Sequence, residues 1–263
     1  MSERATSHES RATVLTIAGS DPSGGAGAQA DLRVFSDMGV KGLSAITAIT
    51  AQDDEEVLAI HPTATDILTQ QLSTACKKFE PNVIKIGMVA TQANVRAIIW
   101  FLGHTKARQI VIDPVLHSSS GTPLLEAKAI AQYRQQLLPL ATVITPNLLE
   151  AQVIAGMQVN SVETMETAAR TIHSEISKLR GSHDKPLYVV VKGGHLAGDA
   201  VDVLYDGENL KKFTANRIVG RSPRGTGCRF ASAIAARLAL GDGIVEAVGA
   251  AKEYLTKYIS SKV

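Results

Sequence analysis

The segment Arg224-Gly225-Thr226-Gly227-Cys228-Arg229 leads into a run of helical spacing, Phe230 to Leu240, that is rich in Ala and Leu. A helix start offers free backbone N–H groups and the positive end of the helix dipole, and Gly225 and Gly227 let an anion approach without a Cβ in the way. The chemistry this allows is anion binding beside a thiol. Cys228, at that start and flanked by Arg224 and Arg229, is expected to have a depressed pKa and to act as an activated base or nucleophile. On this segment alone, a Gly-Thr-Gly turn followed by a small, well-packing residue reads equally well.

Other residues of the same chemical kind stand at the ends of apolar runs. Gly19-Ser-Asp-Pro-Ser-Gly-Gly-Ala-Gly-Ala-Gln-Ala-Asp31 is a glycine-rich turn entering a helix. It lacks the Gly-Lys-Ser/Thr of a Walker A loop, and several residues separate it from the position a dinucleotide fingerprint requires, so an NAD site is not expected. Further run ends carry Gln52, Gly87-Met88, Asp113-Pro114-Val115, Thr145-Pro146-Asn147 with Glu150, and Lys192-Gly193-Gly194-His195. Lys192 is placed to meet nucleotide phosphates, with Gly193 and Gly194 clearing space beside it. Asn147 and Glu150, one helical turn apart, read by themselves as an N-cap and a surface glutamate. Cys76, in a helical pattern with Leu68, Leu72 and Phe79, reads as a buried core thiol.

The elements that must position these residues alternate along the chain. Strands are expected at 14–18, 43–49, 83–86, 110–112, 143–145 and 188–191, most of them apolar on both faces, as in a parallel sheet covered by helices. Helices are expected at 26–38, 64–79, 92–101, 123–137, 147–155, 162–179, 229–240 and 243–259, and an antiparallel hairpin at 200–205 and 210–213 closes one edge. The alternation predicts a doubly wound α/β sheet, whose ligands bind beyond the C-terminal strand ends. Residues 1–12 read as a disordered leader and 13–263 as a single domain. The 27 basic and 25 acidic side chains give a net charge of +2, no electrostatic footprint for nucleic acid or an anionic membrane. The polar start has no signal-peptide core, and no apolar run approaches the ~18 residues of a membrane helix, so a cytoplasmic address and a small-molecule partner are expected.

Taken together, Thr16 to Asp31, Ala51-Gln52, Lys85-Ile-Gly-Met88, Asp113-Pro-Val115, Ile144-Thr-Pro-Asn-Leu-Leu-Glu150, Val191-Lys-Gly-Gly-His195 and Gly225-Thr-Gly-Cys228 resemble the ribokinase-like superfamily. Within it they resemble the hydroxymethylpyrimidine and phosphomethylpyrimidine kinases of thiamine biosynthesis. The sugar kinases of that superfamily typically carry Asp where this chain has Cys228, so the cysteine points to the pyrimidine and pyridoxal branches. The resemblance implies a ribokinase-like fold and ATP-dependent phosphorylation of 4-amino-5-hydroxymethyl-2-methylpyrimidine, extended to the monophosphate in bifunctional members. It implies Gly225, Thr226 and Gly227 as the anion hole and Cys228 as the base. Gly19, Ala26, Thr50, Gln52, Met88 and Val115 match the pyrimidine pocket, with Asp31 an acid near it. Lys192 and Asn147 fall on the ATP side, and Asn147 with Glu150 would hold Mg²⁺ through water. A homodimer is implied as well.

Several positions depart from the family pattern. Asp53-Asp54, followed by Glu55-Glu56, replace the usual Asn-Thr, which puts carboxylates near a site for anions. Leu116-His-Ser-Ser-Ser-Gly121 lacks the lysine common there, and no glycine-rich ending follows the last helix. Arg224 and Arg229 stand where a histidine and a threonine or serine are common, and are candidates for binding a substrate phosphate or the nucleotide. Two alternatives stay open at this level: a pyridoxal or pyridoxine kinase, and a catalytically weak pyrimidine-binding sensor.

Overall fold

Side chains alternate along each strand, and here the alternation sorts them by size. Val14, Val83, Val111, Val143 and Val190 form a row on one face of the sheet, while Leu15, Ile17, Ile84, Ile86, Ile112 and Ile144 fill the other. The short valines let an alanine-rich helix approach closely, so Ala231, Ala233, Ala235 and Ala236 pack against that row without residual exposure.

The computed structural model describes residues 12–53, 55–181, 185–218, 220 and 223–262. All but Ala12 of the expected leader, and Asp54 of the acidic run, lie outside the described residues. The strands are β1 Thr13–Ser20, β2 Lys41–Gln52, β3 Val57–Pro62, β4 Val83–Ile86, β5 Gln109–Ile112, β6 Val143–Ile144, β7 Tyr188–Lys192, β8 Ala200–Tyr205 and β9 Leu210–Ala215. They form one sheet in the order β3-β2-β1-β4-β5-β6-β7-β8-β9, parallel from β2 through β7. The expected hairpin is β8 with β9. The other edge carries β3, antiparallel to a longer β2 than the sequence suggests. Its apolar signal is brief and split between faces, with Leu58 67% exposed, and Pro62 ends it as suits an edge strand.

Helices α1 Gly27–Asp37, α2 Thr65–Phe79 and α3 Gln92–Leu102 follow the expected spans closely. The helix expected at 123–137 is instead a broken stretch. Pro123 and Leu125 are held in bridges to His117 and Ala90. The chain then runs through a 3₁₀ turn at Ala127–Ala129, α4 Ile130–Gln132, a π turn Tyr133–Leu137 and a 3₁₀ turn Leu138–Leu140. Pro139, which has no N–H to donate, stands in the last of these turns. Helices α5 Leu148–Ala155, α6 Val162–Leu179, α7 Thr226–Ala239 and α8 Ile244–Ser260 complete the chain. α1, α7 and α8 cover the valine face, and α2, α3, α5 and α6 contribute to the opposite core. Cys76 is only half-buried at the margin of that core, because its neighbours on α2, Ala75 and Lys77, already face the rim.

The valine row ends in polar residues. Two positions beyond Val14 and Val83 stand Thr16 and Lys85, both fully buried, facing the α1 and α7 side. The carboxylate of Asp31, on α1, accepts from Lys85 Nζ at 2.8 Å, Thr16 Oγ1 at 2.6 Å and, from α7, Ser232 Oγ at 2.7 Å. Burial pulls the Lys85 ammonium toward neutrality, but the charge and hydrogen bond of Asp31, joined by Cys228 and Asp113, together outweigh it and hold Lys85 well above its ordinary range. Removing one partner of such a pair leaves a bare charge in the core, at a cost of about 3–5 kcal/mol. Asp31→Asn should therefore lower the unfolding free energy by about that much in a urea titration. The double variant Asp31→Asn with Lys85→Met should recover most of the loss, since no buried charge then remains.

Candidate active site

Gly225 has φ +69°, and a Cβ there would collide with the Gly25 carbonyl oxygen and with the Arg229 guanidinium. Only glycine fits, because the turn after β1 and the start of α7 touch at this point. The first intrahelical bond of α7 runs from Arg229 N–H to Gly225 O at 2.9 Å, so the amides of Thr226, Gly227 and Cys228 belong to the free first turn. They are the predicted anion hole, and they sit over the ends of the central strands. A Cβ on Gly227 would stand 3.1 Å from Lys192 Nζ and 3.9 Å from Asp113 Oδ2.

Lys192, at the end of β7, is ion-paired with Asp113 at 2.6 Å. Asp113, just past β5, also accepts from Thr145 Oγ1 at 3.0 Å. Burial works against the Lys192 charge, but the carboxylates of Asp113 and Glu150 raise its pKa above the ordinary value. The space beside Lys192 has a different origin from the one expected. Gly193 is required by packing, since a Cβ would strike Val201 O and come within 2.7 Å of Met165 Cε, whereas Gly194 borders nothing within 4 Å.

Asn147 and Glu150 form a reciprocal capping box for α5. Glu150 N–H donates to Asn147 Oδ1 at 2.9 Å and Asn147 N–H donates to Glu150 Oε2 at 2.8 Å. The N-cap reading therefore holds, but Glu150 is no surface residue: it is 6% exposed. Burial first, and then Asp113, push its carboxyl up to about 8 against the pull of Lys192. Two carboxyl groups thus share one lysine, and Glu150 keeps its proton for want of a second positive charge beside its hard oxygen donors. This suits a cation such as Mg²⁺, which needs few protein carboxylates when phosphates and water complete its shell. Among the described residues no group of three or more His, Cys, Asp or Glu forms a closed metal cage.

Cys228 departs from its expected electrostatics. Burial is the largest influence and pushes the thiol above its ordinary range, assisted by Asp113 and Asp31; Lys85 and a hydrogen bond from Gly27 N–H work the other way without prevailing. The flanking arginines do not offset this, because neither is directed at the sulfur. Arg229 is 2% exposed and turns back to donate to the carbonyls of Gly25 and Arg224, so it faces no phosphate. Arg224 Nη2 points to Gln52 Oε1 at 3.5 Å, while its buried Nη1 has no protein partner.

The predicted acceptor pocket assembles in part. A Cβ on Gly19 would lie 2.8 Å from Met88 Sδ, and Met88 shares an apolar cluster with Ala48, Val57, Ala90 and Leu124, against which Val115 packs. Thr50 is spent on structure, its hydroxyl donating to Ser20 O at 2.9 Å. Asp31 is enclosed beneath the site by its three partners and presents nothing to a ligand. Ala26 N–H donates to Asp21 Oδ2 at 2.8 Å. Burial would raise the Asp21 carboxyl, but hydrogen bonds from Gln52, Ser23 and Ala26 together hold it below its ordinary range. Gln52 therefore stands between Asp21 and Arg224. Asp53 turns to cap its own loop, accepting from the N–H groups of Glu55 and Glu56 at 2.8 and 3.0 Å. Residue-level reasoning missed the roles of Lys85 and Asp113. A lone lysine in Val-Ile-Lys-Ile and an aspartate closing an apolar strand were the available signals.

One pH response follows from Glu150. A carboxyl whose folded pKa is raised binds its proton more tightly in the native state, so its contribution to stability is present at low pH and lost as pH rises from about 4.5 to about 8. For metal-free protein, urea unfolding at pH 5, 6.5 and 8 should show a decline, bounded for this group by about 1.4 kcal/mol per unit, that is shallower in Glu150→Gln.

Comparison with known proteins agrees with this geometry. The family model described as phosphomethylpyrimidine kinase matches residues 21–263. The hydroxymethylpyrimidine/phosphomethylpyrimidine kinase of Rhizobium meliloti is 42% identical over 251 residues, covering 95% of this chain and 91% of that protein. The chain spans only 49% of the thiamine biosynthesis bifunctional protein ThiED of Geobacter sulfurreducens, at 40% identity over 95% of this chain. The crystal structure of phosphomethylpyrimidine kinase from Clostridium difficile superposes with a TM-score of 0.79 at 39% identity, covering 94% of this chain and 99% of that one. The ADP complex of Bacillus subtilis pyridoxal kinase superposes with a TM-score of 0.82 at 38% identity, covering 93% and 90%. With the strand-end residues, the glycine turn and the Gly-Thr-Gly-Cys helix start in place, the chain belongs to the phosphomethylpyrimidine kinase family.

Proposed function

We propose that this protein transfers the γ-phosphoryl group of ATP to the hydroxymethyl group of 4-amino-5-hydroxymethyl-2-methylpyrimidine, and then phosphorylates the monophosphate, as a cytoplasmic step of thiamine biosynthesis. The observation that carries this reading is the meeting of the free first turn of α7 with Lys192, Asp113 and Cys228 at the ends of the central strands. Phosphoryl transfer asks a protein mainly to neutralise charge and to align the two oxygens in line. The amides of Thr226, Gly227 and Cys228 and the Lys192 ammonium supply positive potential for the moving phosphoryl group. Asp113 and Glu150 would hold Mg²⁺, Glu150 through water, and the cation would offset the charge of the nucleotide phosphates; Asn147, expected beside Glu150 at the cation and the nucleotide, has its Oδ1 engaged in the α5 cap and serves to orient Glu150. A homodimer belongs to the same reading, to be read by sedimentation.

On the acceptor side, Gln52 offers an amide to the ring edge, and Gly19, Met88 and Val115 give its flat faces an apolar wall. As the thiolate, Cys228 takes the hydroxyl proton while the acceptor oxygen bonds to the γ-phosphorus and the bond to the bridging oxygen breaks, releasing ADP. The resting thiol is protonated, so turnover should climb with pH through the alkaline limb as thiolate forms, and that rise should vanish in Cys228→Ala. The same substitution should reduce kcat by about a hundredfold or more and leave ATP binding within about twofold, read by ADP release and by calorimetry.

Arg224 is the residue we assign to the phosphorylated acceptor. Its buried, unpartnered Nη1 beside Gln52 supports this role, since a phosphate there would supply the missing acceptor. Arg224→Met should raise KM for the monophosphate by about tenfold or more while changing KM for the unphosphorylated pyrimidine by less than about threefold. Equal effects on the two acceptors would remove Arg224 from this role.

The likeness to the pyridoxal kinase structure sustains a second reading, with pyridoxal as the acceptor. ADP release from Mg-ATP with hydroxymethylpyrimidine, its monophosphate and pyridoxal offered separately decides between them. Turnover of the first two bears out the proposal and turnover of pyridoxal alone replaces it. Thermal stabilisation by the pyrimidine without ADP release would leave a binding sensor.

A further inference from the structure

Arg229 is among the most enclosed charged residues of the chain, at 2% exposure. Its Nη1 donates to the Gly25 carbonyl and, at 3.3 Å, to the Arg224 carbonyl. The guanidinium carbon stands 4.3 Å from the centre of the Tyr258 ring, in the last turn of α8. One side chain therefore joins the glycine turn after β1, the residue that precedes the Gly225 turn into α7, and the C-terminal helix. The Gly25 carbonyl it holds is the same oxygen that leaves no room for a Cβ at Gly225. One helical turn before Tyr258, Tyr254 donates from its hydroxyl to Asp37 at 2.6 Å at the end of α1, so α8 is tied to α1 beside the clamp.

The turn that Arg229 holds carries parts of the site. Ala26 N–H is fixed to Asp21, and Asp21 in turn interacts with Gln52. Gly27 N–H reaches the sulfur of Cys228. The nucleotide side, Lys192 with Asp113, lies against Gly227 instead. We propose that Arg229 is a positioning residue: it clamps the Gly24–Ala26 turn onto the start of α7, with Tyr258 as the wall against which the guanidinium is set, so that the acceptor side of the cleft is shaped from the C-terminal helix. The clamp stands on the contacts themselves, and its effect on acceptor affinity rests on the kinase reading above.

The test combines amide hydrogen exchange of peptides spanning residues 20–30 with steady-state kinetics, on the full chain. Arg229→Met and Tyr258→Leu should each speed exchange at residues 24–27 by about tenfold, whereas Tyr258→Phe, which keeps the ring face, should exchange at the wild-type rate. Arg229→Met should raise the acceptor KM by about tenfold and leave the ATP KM within about twofold. Unchanged exchange in both variants, or equal rises in the two KM values, overturns the proposal. If Arg229→Met does not fold, Tyr258→Leu carries both readouts. Should the wild type turn over no offered acceptor, the kinase reading fails while the exchange measurement still decides the clamp.

Discussion

The ion pair of Lys85 with Asp31 is the contact on which the rest depends. It lies between the sheet and two helices, with Thr16 on β1, Lys85 on β4, Asp31 on α1 and Ser232 on α7 meeting at one carboxylate. A buried pair adds little net stability over an apolar one of the same shape, because both ions give up water. Its contribution here is geometric. A carboxylate with three donors tolerates few alternative arrangements, so the start of α7 is held at one height and rotation over the strand ends. Gly87 leaves room for the Lys85 ammonium, since a Cβ there would sit 2.8 Å from its Nζ.

Above that layer, the site is a balance of few, largely buried charges. Lys192 answers Asp113, and Glu150 is left with a carboxyl driven up to about 8. Burial, joined by Asp113 and the deeper Asp31, holds Cys228 in its thiol form, and only Lys85 and one amide oppose them. The cleft thus sets two carboxyl groups against one lysine, beside a thiol held in its protonated form.

The side of the cleft bordered by the glycine turn is built differently, from backbone. The glycine turn after β1 touches the start of α7 through Gly25 and Gly225, and the buried Arg229 closes the contact. Arg224, one turn of chain away, is left to face Gln52. Two arginines that look alike in sequence are thus divided by burial. One is consumed by carbonyl oxygens inside the fold, and the other keeps an unpartnered nitrogen.

Much of this was legible in the residues. Alternating apolar runs and amphipathic stretches place the parallel sheet, most helices and the β8–β9 hairpin, because burial on both faces of a strand leaves an unbroken apolar signature. Spacing also puts Gly225, Gly227 and Cys228 at a helix start, and the segments quoted for the family resemblance locate the strand-end residues. The edge strand β3 and the broken stretch at 127–140 were not legible, since β3 is mostly exposed and owes its form to pairing with the adjacent β2, and the other depends on local distortion near Pro139. Chemistry divides along the same line. Residue types and local spacing determine which groups stand at the strand ends. Only the tertiary structure decides that Asp31 is buried, that Arg229 turns inward, that Glu150 is enclosed and that the Cys228 thiol is pushed up. A pKa or a hydrogen-bond partner depends on groups brought from tens to hundreds of residues away, as Gly25 is to Arg229.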